Sequence, residues 1–373
     1  MTRLILLGLL SLLSLLALFR APANFLWYVS ILVTEFCWIF FLAVFLLLLW
    51  PSGNIKYHLL ATILGIAALV LYSLPVVQAM RLSRTLPKDF KAVFTGTDSS
   101  TPSPFQPLKM ITGIGAKQVA YKSLTYDAAN NLSLDFYPSV VSGKRPCVVV
   151  IHGGSWAGGD SHQLPELNSE LAKEGYHVAA INYRLAPGHH FPAPVEDVKT
   201  ALAYLCSQAS TLSVDTTAFT LLGRSAGGQI ALSAAYTVND KRINGVISFY
   251  GPADMVWGYE NPTNPLVLNS RKVMEAYLGG TLQQVPEQYR QSSATETVSE
   301  HTPPTLLLYG ENDPLVSPLH GPRLTKRLDE KRIKYFALYL PWATHGFDYT
   351  LNGPAGQLST CLVKEFLKSV NRQ

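Results

Sequence analysis

Residues 219–228 read Phe219-Thr220-Leu221-Leu222-Gly223-Arg224-Ser225-Ala226-Gly227-Gly228. An apolar stretch suited to a buried strand ends at a glycine, and a helix-like segment, Ala226–Thr237, follows directly. Between them lies the pattern Gly-x-Ser-x-Gly. A serine held in a sharp strand-to-helix turn needs neighbours small enough for strand and helix to approach each other. Such a turn presents the Ser225 hydroxyl above a sheet, close to the positive end of the helix that follows.

Outward from this turn, strand-like and helix-like segments alternate. The strand-like stretches are Val119–Tyr126, Leu132–Tyr137, Cys147–His152, Val178–Asn182, Phe219–Gly223, Val246–Tyr250, Thr305–Tyr309 and Tyr335–Leu340. Several are unbroken apolar runs, as expected for strands covered on both faces of a parallel sheet. Helix-like segments fall at Gln163–Glu174, Pro194–Gln208, Ala226–Thr237, Leu319–Lys331 and Gly356–Asn371. The alternation predicts an α/β domain with a mostly parallel, doubly wound sheet, antiparallel at its entry, with ligands at the carboxyl ends of the strands.

A serine hydroxyl is a weak nucleophile, so Ser225 needs a base, and the base needs an orienting acid. Among the downstream histidines, His301 precedes a strand and His320 starts a helix. His345 alone follows a strand, in Ala343-Thr344-His345-Gly346-Phe347, and is the expected base. Asp313, after Thr305–Tyr309 in Gly310-Glu311-Asn312-Asp313-Pro314, is the expected acid, with Glu311 and Asp254 as rivals. Charge developing on a carbonyl oxygen requires fixed N–H donors. The paired glycines of His152-Gly153-Gly154-Ser155-Trp156, directly after a strand, can turn backbone N–H groups into a pocket, and Ala226 should add another. No Walker lysine or G-x-G-x-x-G pattern accompanies these glycines, which disfavours a phosphate loop.

These residues resemble the α/β-hydrolase superfamily, and within it the hormone-sensitive-lipase-like and bacterial carboxylesterase group. The match rests on His152-Gly153-Gly154, on Tyr183-Arg184-Leu185-Ala186-Pro187 leading to Phe191-Pro192-Ala193-Pro194 and Glu196-Asp197-Val198, and on Ser225-Ala226-Gly227-Gly228. The resemblance implies Ser225 as nucleophile, His345 as base, Asp313 as acid, and Gly153, Gly154 and Ala226 as oxyanion-hole donors. Ser155-Trp156 stands where a third glycine is common, a form closer to the feruloyl-esterase-like and kynurenine-formamidase-like branches. Arg224 occupies a position that is commonly acidic. The implied activity is carboxylic-ester hydrolysis through an acyl-enzyme. An acyltransferase or amidase using the same triad, and a non-catalytic membrane scaffold, are the alternatives.

The N-terminal third has a different composition. The chain of 373 residues is 48% hydrophobic and only 15% charged. Residues 1–80 hold just four charged side chains, Arg3, Arg20, Glu35 and Lys56. Three apolar runs, Leu4–Phe19, Phe25–Trp50 and Leu59–Ala79, read as three transmembrane helices, the first being also compatible with a signal peptide. Trp27, Tyr28 and Trp50 read as interfacial anchors. Glu35, inside the second run, implies a function or a partner, or a hydrogen-bonded carboxyl within a bundle. The expected organisation is a membrane anchor over 1–80, a linker over 81–114, and a catalytic domain over 115–373 with a lid-like insertion over about 252–302. The Arg20, Arg81, Arg84, Lys88 and Lys91 flanks place that domain on the cytoplasmic side of a multi-pass protein.

The net charge of +5 is modest, and no basic block interleaved with aromatics suggests a nucleic-acid partner. Four scattered cysteines form no disulfide framework or zinc spacing, and His189-His190 lacks further ligands. No metal or cofactor is expected. The expected partners are a small-molecule or lipid ester and the bilayer.

Overall fold

The computed structural model describes residues 2–50, 55–94, 103–113 and 118–371. Eight strands form one sheet: β1 (Lys122–Asp127), β2 (Leu132–Tyr137), β3 (Arg145–Ile151), β4 (His177–Ile181), β5 (Val214–Arg224), β6 (Ile243–Phe249), β7 (Thr305–Gly310) and β8 (Tyr335–Leu340). Ahead of it lie α1 (Thr2–Ser14), α2 (Asn24–Glu35), α3 (Cys37–Leu49) and α4 (Ile55–Val93), with a single-turn helix at Lys109–Thr112. Five longer ones accompany it: α5 (Pro165–Lys173), α6 (Ala193–Ser207), α7 (Ala226–Thr237), α8 (His320–Glu330) and α9 (Pro354–Val370).

The strand order is β1-β2-β4-β3-β5-β6-β7-β8. β2 pairs antiparallel with β1 and β4, and the remaining pairings are parallel. This is the mostly parallel sheet with an antiparallel entry that the sequence pattern predicts. The all-apolar runs explain its centre: every residue of β4 and Cys147–Ile151 of β3 is buried, as strands sandwiched between helices require. In that centre Val149 pairs with Ala179 on one side and Leu221 on the other. The order reverses at β3, between β4 and β5, so a crevice opens beyond the carboxyl ends of β3 and β5.

The N-terminal region departs from three straight spans. Among the described residues one helix, Tyr57–Val93, is long and apolar enough to cross a membrane. The run 25–50 is broken at Phe36, where α2 and α3 meet at 80°. The first run gives the 13-residue α1 and a 3₁₀ turn, Leu15–Ala17. The break has a physical reason, since the two halves bury against different partners. α3 is wholly apolar and packs with α1 and α4, where Gly65 lets Leu48 close in. α2 instead buries Ser30, Thr34 and Glu35, side chains with hydrogen-bonding needs that lipid cannot meet.

The expected linker over 81–114 is largely structured. α4 continues through Val93, and its Leu86 and Phe90, with Phe94 just beyond it, join the core built around the sheet. Phe90 meets Phe336 of β8 edge-on, and Phe94 meets Phe366 of α9 the same way. Residues 95–102 lie outside the described residues. Beyond them, Phe105 and Met110 are again buried.

Candidate active site

β5 ends at Arg224, and Ser225 adopts φ 53°, ψ −120° before α7 begins. A side chain held at positive φ is strained, and the surroundings enforce it. A Cβ on Gly223 would lie 2.0 Å from Gly227 O, and one on Gly227 would lie 2.2 Å from Ile151 O. Only glycine at both places lets β5, α7 and β3 come this close, so the Gly-x-Ser-x-Gly pattern is a steric necessity of the turn.

Three side chains from separate strand ends converge here. His345 Nε2 lies 2.9 Å from Ser225 Oγ, and His345 Nδ1 lies 2.7 Å from Asp313 Oδ2. The second oxygen of Asp313 accepts the N–H groups of Leu315 (2.7 Å) and Val316 (2.9 Å). The carboxylate is therefore buried, fully hydrogen-bonded and fixed in orientation. The rival acids do not reach His345: Asp254 caps the helix at Trp257 and pairs with Arg323, and Glu311 is exposed. His320 is buried with its Nδ1 accepting from the Asp254 N–H, and burial pushes its pKa down from 6.5 to about 4.

The glycine loop after β3 corrects one expectation. The Gly153 N–H donates to Gln163 Oε1 at 2.7 Å and is not free to meet a substrate. Gly154 turns at φ +125°, Ser155 at 54° and Trp156 at 59°. The N–H groups of Gly154, Ser155 and Ala226 have no acceptor among the described residues. Ser155 and Ala226 line the same cavity as Ser225. Trp156 holds this loop: its Nε1 donates to Gln229 Oε1 of α7, and its ring stacks on Tyr277 at 4.5 Å, nearly parallel. Such a stack is worth about 1 kcal/mol beyond burial.

Arg224 is fully buried. Its Nε donates to Asp348 Oδ2 at 2.5 Å, and Tyr250 OH donates to the other oxygen of Asp348. The acidic group expected before the serine has thus been exchanged for a pair in which the acid comes from the loop that carries His345. The Tyr250 ring lies 4.4 Å from that histidine. Burial and the adjacent Asp348 carboxylate hold the Tyr250 hydroxyl well above its usual pKa, protonated and donating. None of these three partners was apparent in the sequence beyond the anomaly at Arg224.

Ser225 opens into a cavity of about 540 Å³. The segment between β6 and β7 builds one wall, through Trp257, Asn261, Val267 and Met274. Arg20, Ala21 and Pro22 of the N-terminal region line the same space, and Asn264 of that segment donates to Pro22 O at 3.2 Å. Trp27, read from sequence as an interfacial anchor, instead donates its Nε1–H to the carbonyl of His345 at 2.8 Å. Tyr28 and Trp50 are exposed. Glu35 has a partner too: its Oε2 accepts the N–H groups of Ala355 (3.1 Å) and Gly356 (3.3 Å) in the first turn of α9. Gly353 at the head of α9 has no side chain to cap it, and a Cβ there would lie 2.1 Å from Glu35 Oε2. The Glu35 carboxyl group on α2 therefore caps α9 from across the interface.

Comparison with known proteins agrees with this architecture. The chain is 29% identical over 296 residues to the probable carboxylic ester hydrolase LipM of Mycobacterium tuberculosis, covering 74% of this chain and 66% of that protein. It is 28% identical to the esterase LipC of the same organism, over 61% of this chain and 59% of that protein. The chain thus spans about three fifths to two thirds of the length of these relatives. A solved Pyrobaculum calidifontis esterase superimposes with a TM-score of 0.60 at 20% identity, covering 77% of this chain and 92% of that one. The BD-FAE family model matches residues 134–328, from β2 through most of α8, a span that includes the glycine loop, Ser225 and Asp313. With that match extending over more than half of its length, the chain belongs to the BD-FAE family of the α/β-hydrolase superfamily.

Proposed function

We propose that this protein is a serine hydrolase that cleaves carboxylic esters through an acyl-enzyme, with apolar or lipid-like esters as substrates. The observation that carries the reading is the hydrogen-bonded chain Ser225–His345–Asp313 set beside free backbone N–H groups. Ser225 Oγ attacks the ester carbonyl while His345 Nε2 takes its proton. Asp313 Oδ2 accepts the Nδ1–H, which fixes the tautomer and stabilises the imidazolium. The oxyanion is held by the N–H groups of Gly154, Ser155 and Ala226, with Ser155 in the place first expected of Gly153. His345 then protonates the leaving alcohol, and the same steps with water release the acid. The named relatives, an esterase and a probable carboxylic ester hydrolase, support the ester class.

An apolar substrate is supported by the cavity's position. Its rim at Arg20–Pro22 adjoins the N-terminal helices, whose outward side chains are apolar: Phe25 is 74% exposed and Leu59 70%. Such a surface is stable in a lipid layer. We read α4 as the membrane-crossing element, with α1 and the bent α2–α3 pair beside it, and the basic flank Arg81–Lys91 as cytoplasmic.

The test uses full-length protein in lipid nanodiscs and p-nitrophenyl esters of increasing acyl length. Ser225→Ala should lose about 10⁴-fold or more in kcat and resist labelling by a fluorophosphonate. Turnover surviving in that variant would remove Ser225 from the mechanism. kcat/KM should rise from acetate to medium and long acyl chains, and a maximum at acetate would sink the apolar-substrate reading.

A further inference from the structure

The contacts between α2 and the loop that carries His345 go beyond anchoring. Trp27, Ser30, Ile31 and Thr34 recur at helical spacing and so share one face of α2. Along that face, Trp27 Nε1 donates to His345 O at 2.8 Å, and the two rings meet edge-on at 5.9 Å. One turn later Ser30 Oγ, which donates to Trp27 O at 2.7 Å, lies 3.1 Å from Thr344 Oγ1. Ile31 Cδ1 sits over Gly346, where a Cβ would meet it at 3.4 Å, and Gly346 holds φ +79°. Three consecutive loop residues, 344 to 346, are therefore each gripped by one short stretch of a helix more than 300 positions away in sequence. Ser30, Thr344 and His345 are buried and Trp27 is half-buried, so the Ser30–Thr344 contact is closed to water.

We infer that Trp27 and Ser30 are positioning residues for His345, so that the N-terminal helical region is a working part of the active site. The Asp313 carboxylate fixes the imidazole from one side, through Nδ1. It leaves the backbone of the loop free to slide, and a sliding backbone moves Nε2 relative to Ser225 Oγ. The indole N–H removes that freedom by holding the carbonyl of the same residue. Because the grip acts on the base and not on substrate, its loss lowers the rate of chemistry while leaving ground-state binding alone. The inference rests on the serine-hydrolase reading above.

The test compares full-length variants in nanodiscs on p-nitrophenyl acetate, with active sites counted by fluorophosphonate titration. Trp27→Phe keeps the ring and deletes the donor; kcat per titrated site should fall about 10-fold, with KM within about two-fold of wild type. Ser30→Ala should lose about three-fold and Ser30→Thr, which restores a hydroxyl, should recover most of it. Tyr72→Phe, which breaks the bond to Leu10 O within the N-terminal bundle, serves as the control and should match wild type. A Trp27→Phe enzyme with unchanged kcat per site, a loss explained wholly by fewer titrated sites, or a rise in KM alone would each overturn the inference. Ser225→Ala run alongside separates the two readings: an inactive Ser225→Ala with normal Trp27→Phe removes only the positioning role, whereas an active Ser225→Ala removes both.

Discussion

The hydrolase domain and the N-terminal bundle solve opposite solvation problems with the same few residue types. In the domain, aliphatic side chains fill the sheet core, and the buried carboxylates Asp313 and Asp348 beside the site are both paired. In the bundle, Leu12, Phe25, Leu59 and Ile63 point outward, while Ser11, Ser14 and Tyr72 turn inward onto backbone carbonyls. α2 is where the two regimes meet, with one face suited to each. The difference teaches that hydropathy identifies the outward side of a membrane-facing helix, whereas the buried polar residues report what it docks against.

Four perturbations can break or sharpen this comparison. Asp313→Asn, on the hydrolase side, keeps the shape but removes the charge that orients the base; kcat on a short ester should fall by about 10³–10⁴ with the fold intact by circular dichroism. A few-fold loss would move the acid to another residue. Asp348→Ala should cost about 3–5 kcal/mol, because it strands the buried guanidinium of Arg224; a melting temperature equal to wild type would show that the pair is dispensable. Glu35→Ala removes the cap contributed from the bundle side and should lower stability by about 1–2 kcal/mol, read from thermal melts in detergent. Equal melts would mean that the contact holds neither region to the other. The last perturbation is pH itself. Because folded His320 resists protonation down to about 4, the unfolded chain binds the extra proton between pH 6.5 and that value. Stability should therefore decline as pH falls through this window, by about 1.4 kcal/mol per unit for this group. His320→Asn should flatten the slope, and parallel slopes for the two proteins would remove the histidine from the account.

Much of the architecture was legible in the sequence. Unbroken apolar runs gave the buried strands, and β2 and β8 fall where the pattern places them. Ser225, Asp313 and His345 were named because each follows a strand in the order that this fold uses, and the structure brings the three side chains together. Gly153 was misassigned because its N–H is taken by the side chain of Gln163, a tertiary contact that no local pattern encodes. The N-terminal region was misread for a related reason. Three spans follow from hydropathy alone, which scores Phe25–Trp50 as one run. The spacing of Ser30, Thr34 and Glu35 along a single helical face was the available sign that this face seeks hydrogen-bond partners. Trp27 carried no such sign, since an indole at an interface and an indole donating to a loop carbonyl look alike in one dimension.

The 39 residues of α4 have one more consequence. At 1.5 Å per residue the helix is about 58 Å long, against roughly 30 Å for the apolar layer of a bilayer. With its first half in that layer, as proposed above, the second half would project outward as a strut, packed on β8 and α9 through Phe90 and the adjoining Phe94. On the proposed membrane reading, that strut would set a standoff, fixing how high the mouth beside Ser225 rides above the lipid. For a lipid-like ester, how far the substrate must climb from its neighbours to be cut would then be a length built into one helix, separate from the chemistry of the cut.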